Sequence, residues 1–395
     1  MPSTASRALI AIACGGTGGH LFPGLAIGEA LLDHGCDVML LISPKEVDQE
    51  AVRAARGFQI ETLPAVGFER GRLAAFARGC WQSYGQVRRI FQARAPAAVL
   101  SMGGFTSAPP VLAGRNLGAA AFLHESNSIP GRANRWLAHV VEEAFVYFAE
   151  ASGRLWHQKI AVTGMPVRTQ FLDLDAGACR MALGLDPARP VLLSTGGSQG
   201  ASGLNSLILR ALPSLALLEP ELQYIHLTGK TDIETVRAAY AGLGRKAVVF
   251  PFLTEMELAL GAATVAVSRA GASSLAELAA LRLPSLLVPY PAAADNHQWF
   301  NARAFRESGA ARMQEQSSAT AESFLWEIRA LLREELVRQR MGEALAVWHY
   351  PTAAQTIAQR ILDRLPVIPV PSPAEPVAAA FPRLRQEMLS GAPKG

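Results

Sequence analysis

The chain has 395 residues, a net charge of +4 and a pI of about 9.0; half of its residues are hydrophobic and 18% are charged. This composition excludes a largely disordered chain and favours two or three domains with large buried cores. The mildly positive field suits anionic partners such as phosphates, nucleic acid or an acidic lipid surface. The four cysteines lack paired spacing, which argues against a disulfide framework or zinc site and fits a reducing cytoplasm, and no apolar run approaches the ~20 residues of a membrane span.

Short apolar runs alternate with helical segments in the first half of the chain. Such runs indicate a parallel sheet covered by helices on both faces, and the predicted strands span residues 8–14, 37–42, 60–63, 98–102 and 120–124. Between the first two strands we predict a glycine-rich loop at residues 15–20 and a helix over 23–34. Pro23 lies near the first turn of that helix and Gly35 just past its end, as is typical of helix boundaries.

The glycine-rich loop, Gly-Gly-Thr-Gly-Gly-His at residues 15–20, is the sharpest feature of this half. Glycines let the backbone approach a phosphate closely and direct N–H groups at it. A nicotinamide site requires G-x-G-x-x-G and an acidic residue after the second strand, where Ser43 stands, and the Gly-Lys-Ser/Thr ending of an NTPase loop is missing. The residues alone leave open a phosphate loop, a Rossmann nucleotide turn and a plain strand–helix connection.

His20 closes this loop at the mouth of a helix. A neutral imidazole there can take a proton from an attacking hydroxyl near pH 7, and a helix N-terminus favours the neutral form. The alternative, a histidine that caps or packs under the loop, is slightly favoured by the sequence alone. Two more loops follow strands, at residues 102–106 and 124–127, and all three should meet at the carboxyl edge of the sheet, where open α/β folds bind ligands.

An amphipathic helical pattern follows the third predicted strand. Its apolar stripe comprises Leu73, Phe76, Cys80, Tyr84, Val87 and Phe91, with Trp81 beside it and Arg78, Arg88 and Arg89 off it. Most such helices cover a core, but a broad apolar face edged by arginines also suits an interfacial contact with a membrane. The pattern favours the two interpretations about equally.

The second half repeats the same plan. Strands are predicted at residues 191–195, 223–227, 247–250, 265–267 and 285–288, and the loop at 196–200 leads to a helix from about Leu204. We place a domain boundary near the Gly-Met-Pro-Val turn at 164–167. The predicted organisation is a first domain over 1–164, a second over 165–350, a helix over 351–365 that returns to the first domain, and a proline-rich, disordered tail over 366–395.

The stretch 264–302 carries two consecutive strand–loop–helix units. A small-residue turn at 269–272 precedes a helix opening at Ser273 and Ser274, and the polar loop Asp-Asn-His-Gln at 295–298 precedes another helix. Glu277 could accept both hydroxyls of a ribose. However, Ser274 and Glu277 also fit a capping box, in which the glutamate bonds back to the cap, and spacing alone favours that interpretation.

Taken in order, these motifs resemble glycosyltransferase family 28, and the resemblance extends from about residue 10 to 365. The matching segments are GGTGGHLFPG at 15–24, MGGF at 102–105, HESN at 124–127, PVR at 166–168, GGSQGA at 196–201, RAGASSLAE at 269–277 and DNHQ at 295–298. The resemblance implies a GT-B fold, in which two Rossmann-like domains of the doubly wound parallel α/β class face each other across a cleft. Met165, Phe105 and Ser126 depart from the family pattern.

The resemblance also implies the site residues. His20 is the candidate base, and Glu125 is an alternative base or helper. The remaining residues are expected to bind substrate: Thr17, Gly18, Gly19 and Asn127 from the first domain, then Arg168, Ser198, Leu253, Ala272, Ser273, Ser274, Leu275, Ala276, Glu277 and Gln298. No metal and no cofactor are expected, since the sequence shows no cluster of His and carboxylate ligands.

The implied reaction is transfer of N-acetylglucosamine from UDP-N-acetylglucosamine to a muramyl-pentapeptide linked to undecaprenyl pyrophosphate, with inversion at the anomeric carbon. Helix N-termini and backbone amides would stabilise charge on the leaving diphosphate. The expected partners are these two substrates and an anionic membrane surface, without nucleic acid. The expected location is peripheral, on the cytoplasmic face of the bacterial inner membrane.

Three alternatives remain open at this level. The first is another GT-B enzyme, such as a glycolipid-forming transferase or a UDP-sugar 2-epimerase. The second is a nicotinamide-dependent oxidoreductase, and the third is a non-catalytic membrane scaffold that uses the arginine-edged helix.

Overall fold

The protein is built on two parallel sheets, as seen in a computed structural model that describes residues 7–16, 18–53, 55–65, 67, 71, 73–197 and 200–365. Helices cover both sheets, and every strand pairing in the described residues is parallel. The α/β fold class predicted from the sequence is therefore confirmed. Thr17, Ser198 and the tail 366–395 lie outside the described residues.

The first sheet has seven strands in the order β3-β2-β1-β4-β5-β6-β7. The strands are β1 Leu9–Ala13, β2 Asp37–Ile42, β3 Phe58–Thr62, β4 Ala98–Ser101, β5 Ala120–Glu125, β6 Glu143–Val146 and β7 Ile160–Val162. The helices are α1 Gly18–Asp33, α2 Glu46–Ala51, α3 Leu73–Ala93, α4 Ala108–Asn116 and α5 Arg132–Leu137. Short 3-10 helices follow at Ala149–Arg154 and Thr169–Phe171.

The second sheet has six strands in the order β10-β9-β8-β11-β12-β13. They are β8 Val191–Thr195, β9 Gln223–Leu227, β10 Ala247–Phe250, β11 Val265–Ser268, β12 Ser285–Leu287 and β13 Arg312–Met313. The helices are α6 Ala176–Ala182, α7 Ser202–Leu218, α8 Ile233–Gly242, α9 Met256–Ala262, α10 Ala272–Ala280, α11 His297–Glu307, α12 Ala321–Arg333, α13 Glu335–Ala346 and α14 Ala353–Leu362, with a 3-10 helix at Ala294–Asn296.

Strand order reverses once in each sheet, between β1 and β4 in the first and between β8 and β11 in the second. In open parallel sheets the loops at the carboxyl ends of such strands diverge and leave a crevice for a ligand. The loops after these four strands are the ones that carry the glycine-rich and small-residue motifs. The topology therefore places all of these motifs on the ligand-binding side of their sheets.

Helix α1 begins at Gly18 rather than at the predicted Pro23, so His20 lies in the first helical turn and not in a loop. Pro23 is tolerated because only its missing N–H would have bonded to the carbonyl of Gly19, four residues earlier. That carbonyl instead accepts a hydrogen bond from the Ser273 hydroxyl of the second domain, at 3.2 Å. The early start of α1 is thus supported by a contact between the domains.

Helix α14 packs on α1, although it follows the whole second domain in sequence. Ile357, Ala358 and Ile361 of α14 lie in the same buried cluster as Ile10 and Ile12 of β1. The guanidinium groups of Arg360 and Arg364 pair with the buried carboxylate of Glu143 in β6. The helix is held to the first domain by apolar burial and by these ion pairs.

Candidate active site

A cleft of about 1460 Å³ separates the two domains at the carboxyl ends of both sheets. Pockets for one small ligand are commonly 300–1,000 Å³, so this cleft has room for two substrates. It is lined from the first domain by the segments 18–20, 103–105 and 125–136, and from the second domain by 195–197, 200–203, 251–256, 269–277 and 290–298 with gaps. The motifs predicted to converge are therefore brought together.

His20 sits between the α1 N-terminus and the loop after β4, where two glycines make room for its ring. A Cβ added to Gly103 would lie 3.2 Å from His20 Cε1, and one added to Gly104 would lie 3.2 Å from Cδ2. Gly103 and Gly104 both have positive φ, which favours glycine. The residues Gly18 and Gly19 in the first turn of α1 line the cleft beside His20.

The imidazole of His20 is held in its neutral form. Burial lowers its pKa, while hydrogen bonding to the backbone of Met102 and the negative charge of Asp48 act in the opposite direction. The buried Nδ1 atom has no hydrogen-bond partner among the residues that the structure describes. A neutral imidazole with an unsatisfied nitrogen at the edge of a large cleft has the properties of a general base.

Glu125 has a different environment, because its carboxylate is surrounded by donors. Oε1 accepts the N–H of Asn127 at 2.9 Å and its amide at 3.3 Å, while Oε2 accepts the N–H of Gly131 and the amide of Asn134, both at 2.9 Å. Burial raises the pKa of Glu125, and these hydrogen bonds act against that rise. With its acceptor positions occupied, Glu125 orders the loop 125–134 that lines the cleft.

Two helix N-termini in the second domain face the cleft, those of α7 and α10. The loop before α7 turns through Gly197 and Gly200, both at positive φ, and an added Cβ at Gly200 would lie 2.5 Å from the backbone of Gly229. Ala272, Ser273 and Ser274 form the first turn of α10 and line the cleft. Free N–H groups at helix N-termini bind phosphate, so both N-termini are candidate anion sites in the cleft.

The predicted capping box at Ser274 is wrong. Helix α10 begins at Ala272 with Gly271 as its N-cap, and the cap makes no side-chain hydrogen bond. Gly271 has extended backbone angles, and the helix begins directly after it, two residues before Ser274, so Glu277 lies more than a turn inside the helix. Freed from a capping role, the Glu277 side chain lines the cleft.

Burial raises the pKa of Glu277 to about 7; the charge of Arg168 opposes the shift and that of Glu257 adds to it. Arg168 does not line the cleft in the described part of the chain. Its guanidinium carbon lies 4.5 Å from the ring centroid of Phe22 and 5.2 Å from that of Phe171. Arg168 therefore affects Glu277 through its charge and not as part of the cleft lining. Leu275 and Ala276 are also buried, in the core of the second domain.

Gln298 is oriented by its own amide oxygen, which accepts the N–H groups of Ala270 at 3.2 Å and Tyr290 at 3.0 Å. Because both partners are donors, the oxygen must face them, and the side-chain NH₂ is left for the cleft. Leu253 lines the cleft close to the loop after β10. Gln298 thus presents a fixed donor, and Leu253 an apolar contact.

Contacts across the cleft join the polar loop at 295–298 and helix α11 to the first domain. Asn301 in α11 accepts hydrogen bonds from the N–H and hydroxyl of Ser128 and donates to the side chain of Asn127 at 3.0 Å. Arg135 pairs with Asp295 at 2.5 Å, and Arg132 lies 3.5 Å from the same carboxylate. These hydrogen bonds and ion pairs hold the two domains together across the cleft.

Sequence reasoning missed Asn301 and gave no role to Arg269. Arg269 stands at the carboxyl end of β11 and lines the cleft, and its guanidinium donates to the carbonyls of Val288 and Pro289. The position of Arg269 directly after a predicted strand was a usable signal. Asn301 carried only its spacing of three from Gln298, which places both on one side of α11.

Among the described residues, no group of three or more His, Cys, Asp or Glu side chains could hold a metal ion. A search of the same residues for a helix long and apolar enough to cross a membrane found none.

Comparison with known proteins connects this cleft to an enzyme family. The N-terminal domain of glycosyltransferase family 28 matches residues 10–146, and its C-terminal domain matches residues 191–365. A UDP-N-acetylglucosamine–N-acetylmuramyl-(pentapeptide) pyrophosphoryl-undecaprenol N-acetylglucosamine transferase from Anaeromyxobacter sp. (strain Fw109-5) is 38% identical over 356 residues, covering 88% of this chain and 91% of the relative.

Solved structures show the same architecture. The crystal structure of Acinetobacter baumannii MurG aligns with a TM-score of 0.71 and 26% identity, over 90% of this chain and 99% of that one. A protein described as a UDP-N-acetylglucosamine 2-epimerase from Listeria monocytogenes aligns with a TM-score of 0.69 over 90% and 96% of the two chains, but at 14% identity this likeness shows the fold alone.

Proposed function

The chain belongs to glycosyltransferase family 28, and from this premise we propose how its cleft carries out the transfer. The protein transfers N-acetylglucosamine from UDP-N-acetylglucosamine to the muramyl-pentapeptide of a pyrophosphoryl-undecaprenol acceptor. The observation that carries the assignment is the joint match of both family domains to the two halves that form the cleft. The roles of individual residues follow from the chemistry of their surroundings.

The donor binds the second domain in this proposal. The diphosphate lies at the N-termini of α7 and α10, where free N–H groups and helix dipoles favour negative charge. Glu277 accepts the ribose hydroxyls, since it is a carboxylate that lines the cleft without a hydrogen bond to any described residue. Leu253 lies against the uracil, and the oriented NH₂ of Gln298 donates to a hydroxyl of the sugar.

The acceptor binds the first domain, with its sugar hydroxyl directed at His20. His20 takes the hydroxyl proton as the oxygen attacks the anomeric carbon from the face opposite UDP, and this direction of attack inverts the configuration. We assign the base to His20 and a positioning role to Glu125, whose oxygens already accept four hydrogen bonds. Gly18, Gly19 and the side chain of Asn127 line the acceptor side.

Charge develops on the leaving diphosphate as the glycosidic bond breaks. The N–H groups at the two helix N-termini are preorganised for that charge and need no rearrangement in the transition state. The ion pair between Asp295 and Arg135, together with the Asn301 hydrogen bonds, holds the domains together while donor and acceptor are in place. Closure limits access of water, which would otherwise hydrolyse the donor.

The membrane contact is proposed on the exposed first half of α3. Leu73 is 64% exposed and Trp81 77% exposed, whereas Val87 and Phe91 in the second half are buried in the core. The predicted apolar stripe is thus divided: its last residues are core, its middle residues line the cleft and its first residue is exposed. Together with the exposed Arg78, this surface suits an anionic lipid bilayer, and the location proposed for the protein is peripheral, on the cytoplasmic face of the inner membrane.

The proposed function is tested with UDP-N-acetylglucosamine labelled in the sugar and a lipid-linked muramyl-pentapeptide. We expect release of UDP and a disaccharide on the lipid, each dependent on both substrates. Conversion of UDP-N-acetylglucosamine to another UDP-sugar without acceptor would instead indicate an epimerase. Release of free sugar without disaccharide would show that the acceptor is wrong.

A further inference from the structure

Helix α2 carries a buried carboxylate that the mechanism has not used. We propose that Asp48 is a positioning residue for the transfer: it holds the glycine-rich loop before α1 so that His20 and the first N–H groups of α1 face the cleft. This inference rests on the proposed role of His20 as the base. It predicts that a residue outside the cleft lining controls the basicity of the group inside it.

Asp48 ties together two loops that follow neighbouring strands. Its side chain is fully buried, and Oδ2 accepts the N–H of Gly16 at 2.6 Å and the N–H and hydroxyl of Ser43. Gly16 belongs to the loop after β1, and Ser43 directly follows β2. One carboxylate oxygen thus fixes the spacing between the end of β2 and the loop that leads into α1.

The other side of the same glycine is held by a second residue from the start of α2. Lys45 Nζ donates to the carbonyl oxygen of Gly16 at 2.9 Å and lies 5.2 Å from the centre of the Phe105 ring. Gly16 has a φ of +115°, which L side chains rarely adopt. A glycine loses more conformational freedom than other residues on ordering, so this loop depends on external contacts, and Asp48 and Lys45 supply them from both sides.

The carboxylates of Glu125 and Asp48 differ in how many of their oxygens accept hydrogen bonds. Both oxygens of Glu125 accept hydrogen bonds, whereas the buried Oδ1 of Asp48 has no hydrogen-bond partner among the described residues. A buried carboxylate that served the loop alone would gain from a donor at its second oxygen. The unsatisfied oxygen of Asp48 leaves negative charge to act on the groups around it.

His20 is the titratable group on which this charge acts. The charged groups that act on it are Asp48 and Lys45 from the α2 end and His297 from α11. Of these, Asp48 favours the protonated imidazole, while Lys45 and His297 oppose it. His124 in β5 also faces His20, but its own pKa is lowered to about 4, so it is neutral where His20 titrates. Asp48 therefore raises the proton affinity that His20 needs as a base after burial has lowered it.

The decisive experiment compares Asp48→Asn and Lys45→Met, which loosen the same loop but remove opposite charges. We expect both variants to lower kcat by about 10- to 100-fold. In the pH profile of kcat/KM, the acid limb should move to lower pH in Asp48→Asn and to higher pH in Lys45→Met, each by roughly 0.5–1 unit. Ser43→Ala, which keeps both charges and the Gly16 contact, should stay within about twofold of wild type.

Binding of UDP to each variant, measured by calorimetry, checks that the second domain is intact and should be unchanged. If the acid limb of the kcat/KM profile does not move, or moves in the same direction in both variants, Asp48 has only a structural role and the inference is overturned. If Asp48→Asn does not fold, Lys45→Met still tests whether charge at the start of α2 sets the basicity of His20, and an acid limb that does not move in that variant would overturn the inference.

Adding Asp48→Asn to His20→Ala separates this inference from the proposed function. If Asp48 acts through His20, the kcat of the double variant should be less than twofold below that of His20→Ala, because the two effects then cannot add. A wild-type protein without transferase activity would refute the proposed function, and a fully active His20→Ala would refute the base and this inference together. Loss of activity in His20→Ala alone, with Asp48→Asn at the wild-type rate, would refute only this inference.

Discussion

Replacing Glu277 with glutamine should weaken UDP binding and, above pH 7, stabilise the folded protein. The carboxylate faces the cleft from α10 and has no hydrogen bond to any described residue, and burial raises its pKa to about 7. Glutamine has nearly the same shape and removes only the charge. The two effects have opposite signs, so a single substitution separates a ligand-binding role from a capping role.

The loss of affinity follows from the chemistry of the ribose contact. Hydrogen bonds to a charged acceptor contribute about 1.5–3 kcal/mol, which corresponds to a roughly 10- to 150-fold increase in the Kd for UDP at pH 8. In the wild type, protonation of Glu277 should weaken binding about tenfold between pH 8 and pH 6, because the pKa lies near 7. In Glu277→Gln, this pH dependence should disappear.

The gain in stability follows from the raised pKa. The ordinary value is 4.5 and the folded value about 7, so the folded protein binds the proton more tightly, and ionisation destabilises the fold. The stability is fully present below about pH 4.5 and is lost as the pH rises through about 7. Glutamine avoids this loss, so its advantage should reach at most about 3 kcal/mol at pH 8 and shrink towards zero near pH 4.5.

Calorimetric titration with UDP at pH 6 and 8 and urea unfolding at pH 5 and 8 measure both effects. Glu257→Gln is the matched control, since Glu257 does not line the cleft but raises the pKa of Glu277. It should bind UDP normally at pH 8 and keep more of its affinity at pH 6. Normal UDP binding combined with a loss of stability in Glu277→Gln would refute the reasoning and give Glu277 a structural role in α10 instead.

Further substitutions test the remaining parts of the site and fold. His20→Ala should lower kcat by about 10²–10⁴ while the Kd for UDP stays within twofold, measured by steady-state kinetics and calorimetry; an unchanged kcat would remove His20 from the base role. Trp81→Glu should reduce sedimentation with anionic liposomes without affecting UDP binding, and equal sedimentation would exclude the α3 surface. Arg360→Met should destabilise the protein to urea by about 1–3 kcal/mol, since Glu143 stays buried and keeps only Arg364; no change would mean that Glu143 finds another partner.

Strands built around a short buried apolar run were predictable from the sequence. Val191–Thr195 and Gln223–Leu227 occur with the predicted bounds. Strand β6, Glu143–Val146, was missed because it opens with a carboxylate that is neutralised only by α14, far along the chain. No local pattern contains that information.

The starts of α1 and α10 were misjudged for related reasons. Glycines at residues 18 and 19 have low helix propensity. The helix is nevertheless supported there by the hydrogen bond from Ser273 and by the bonds of Asp48 and Lys45 to the preceding loop. Ser274 is a good cap by composition, but the extended backbone of Gly271 starts α10 earlier. In both cases, tertiary geometry overrode a local preference.

The candidate site was predictable to the extent that strand ends specify position. The loops that contain Gly18, Glu125 and Ser273 could be placed at one edge because the carboxyl ends of parallel strands meet there, whereas the roles of the individual residues came from the family resemblance. Asp48 and Asn301 were not found, because their roles depend on partners that come from other loops or from the opposite domain.

The seating of α14 on the first domain has a consequence for how the protein is made. On the ribosome, Glu143 emerges 217 residues before Arg360, which at about 5–20 residues per second is a delay of roughly 10–45 s. During this interval the nascent first domain exposes the apolar strip that Ile357 and Ile361 later cover and keeps an unneutralised carboxylate in its sheet. Translation of the entire second domain therefore precedes completion of the first, and chains stalled in between would be natural clients for chaperones.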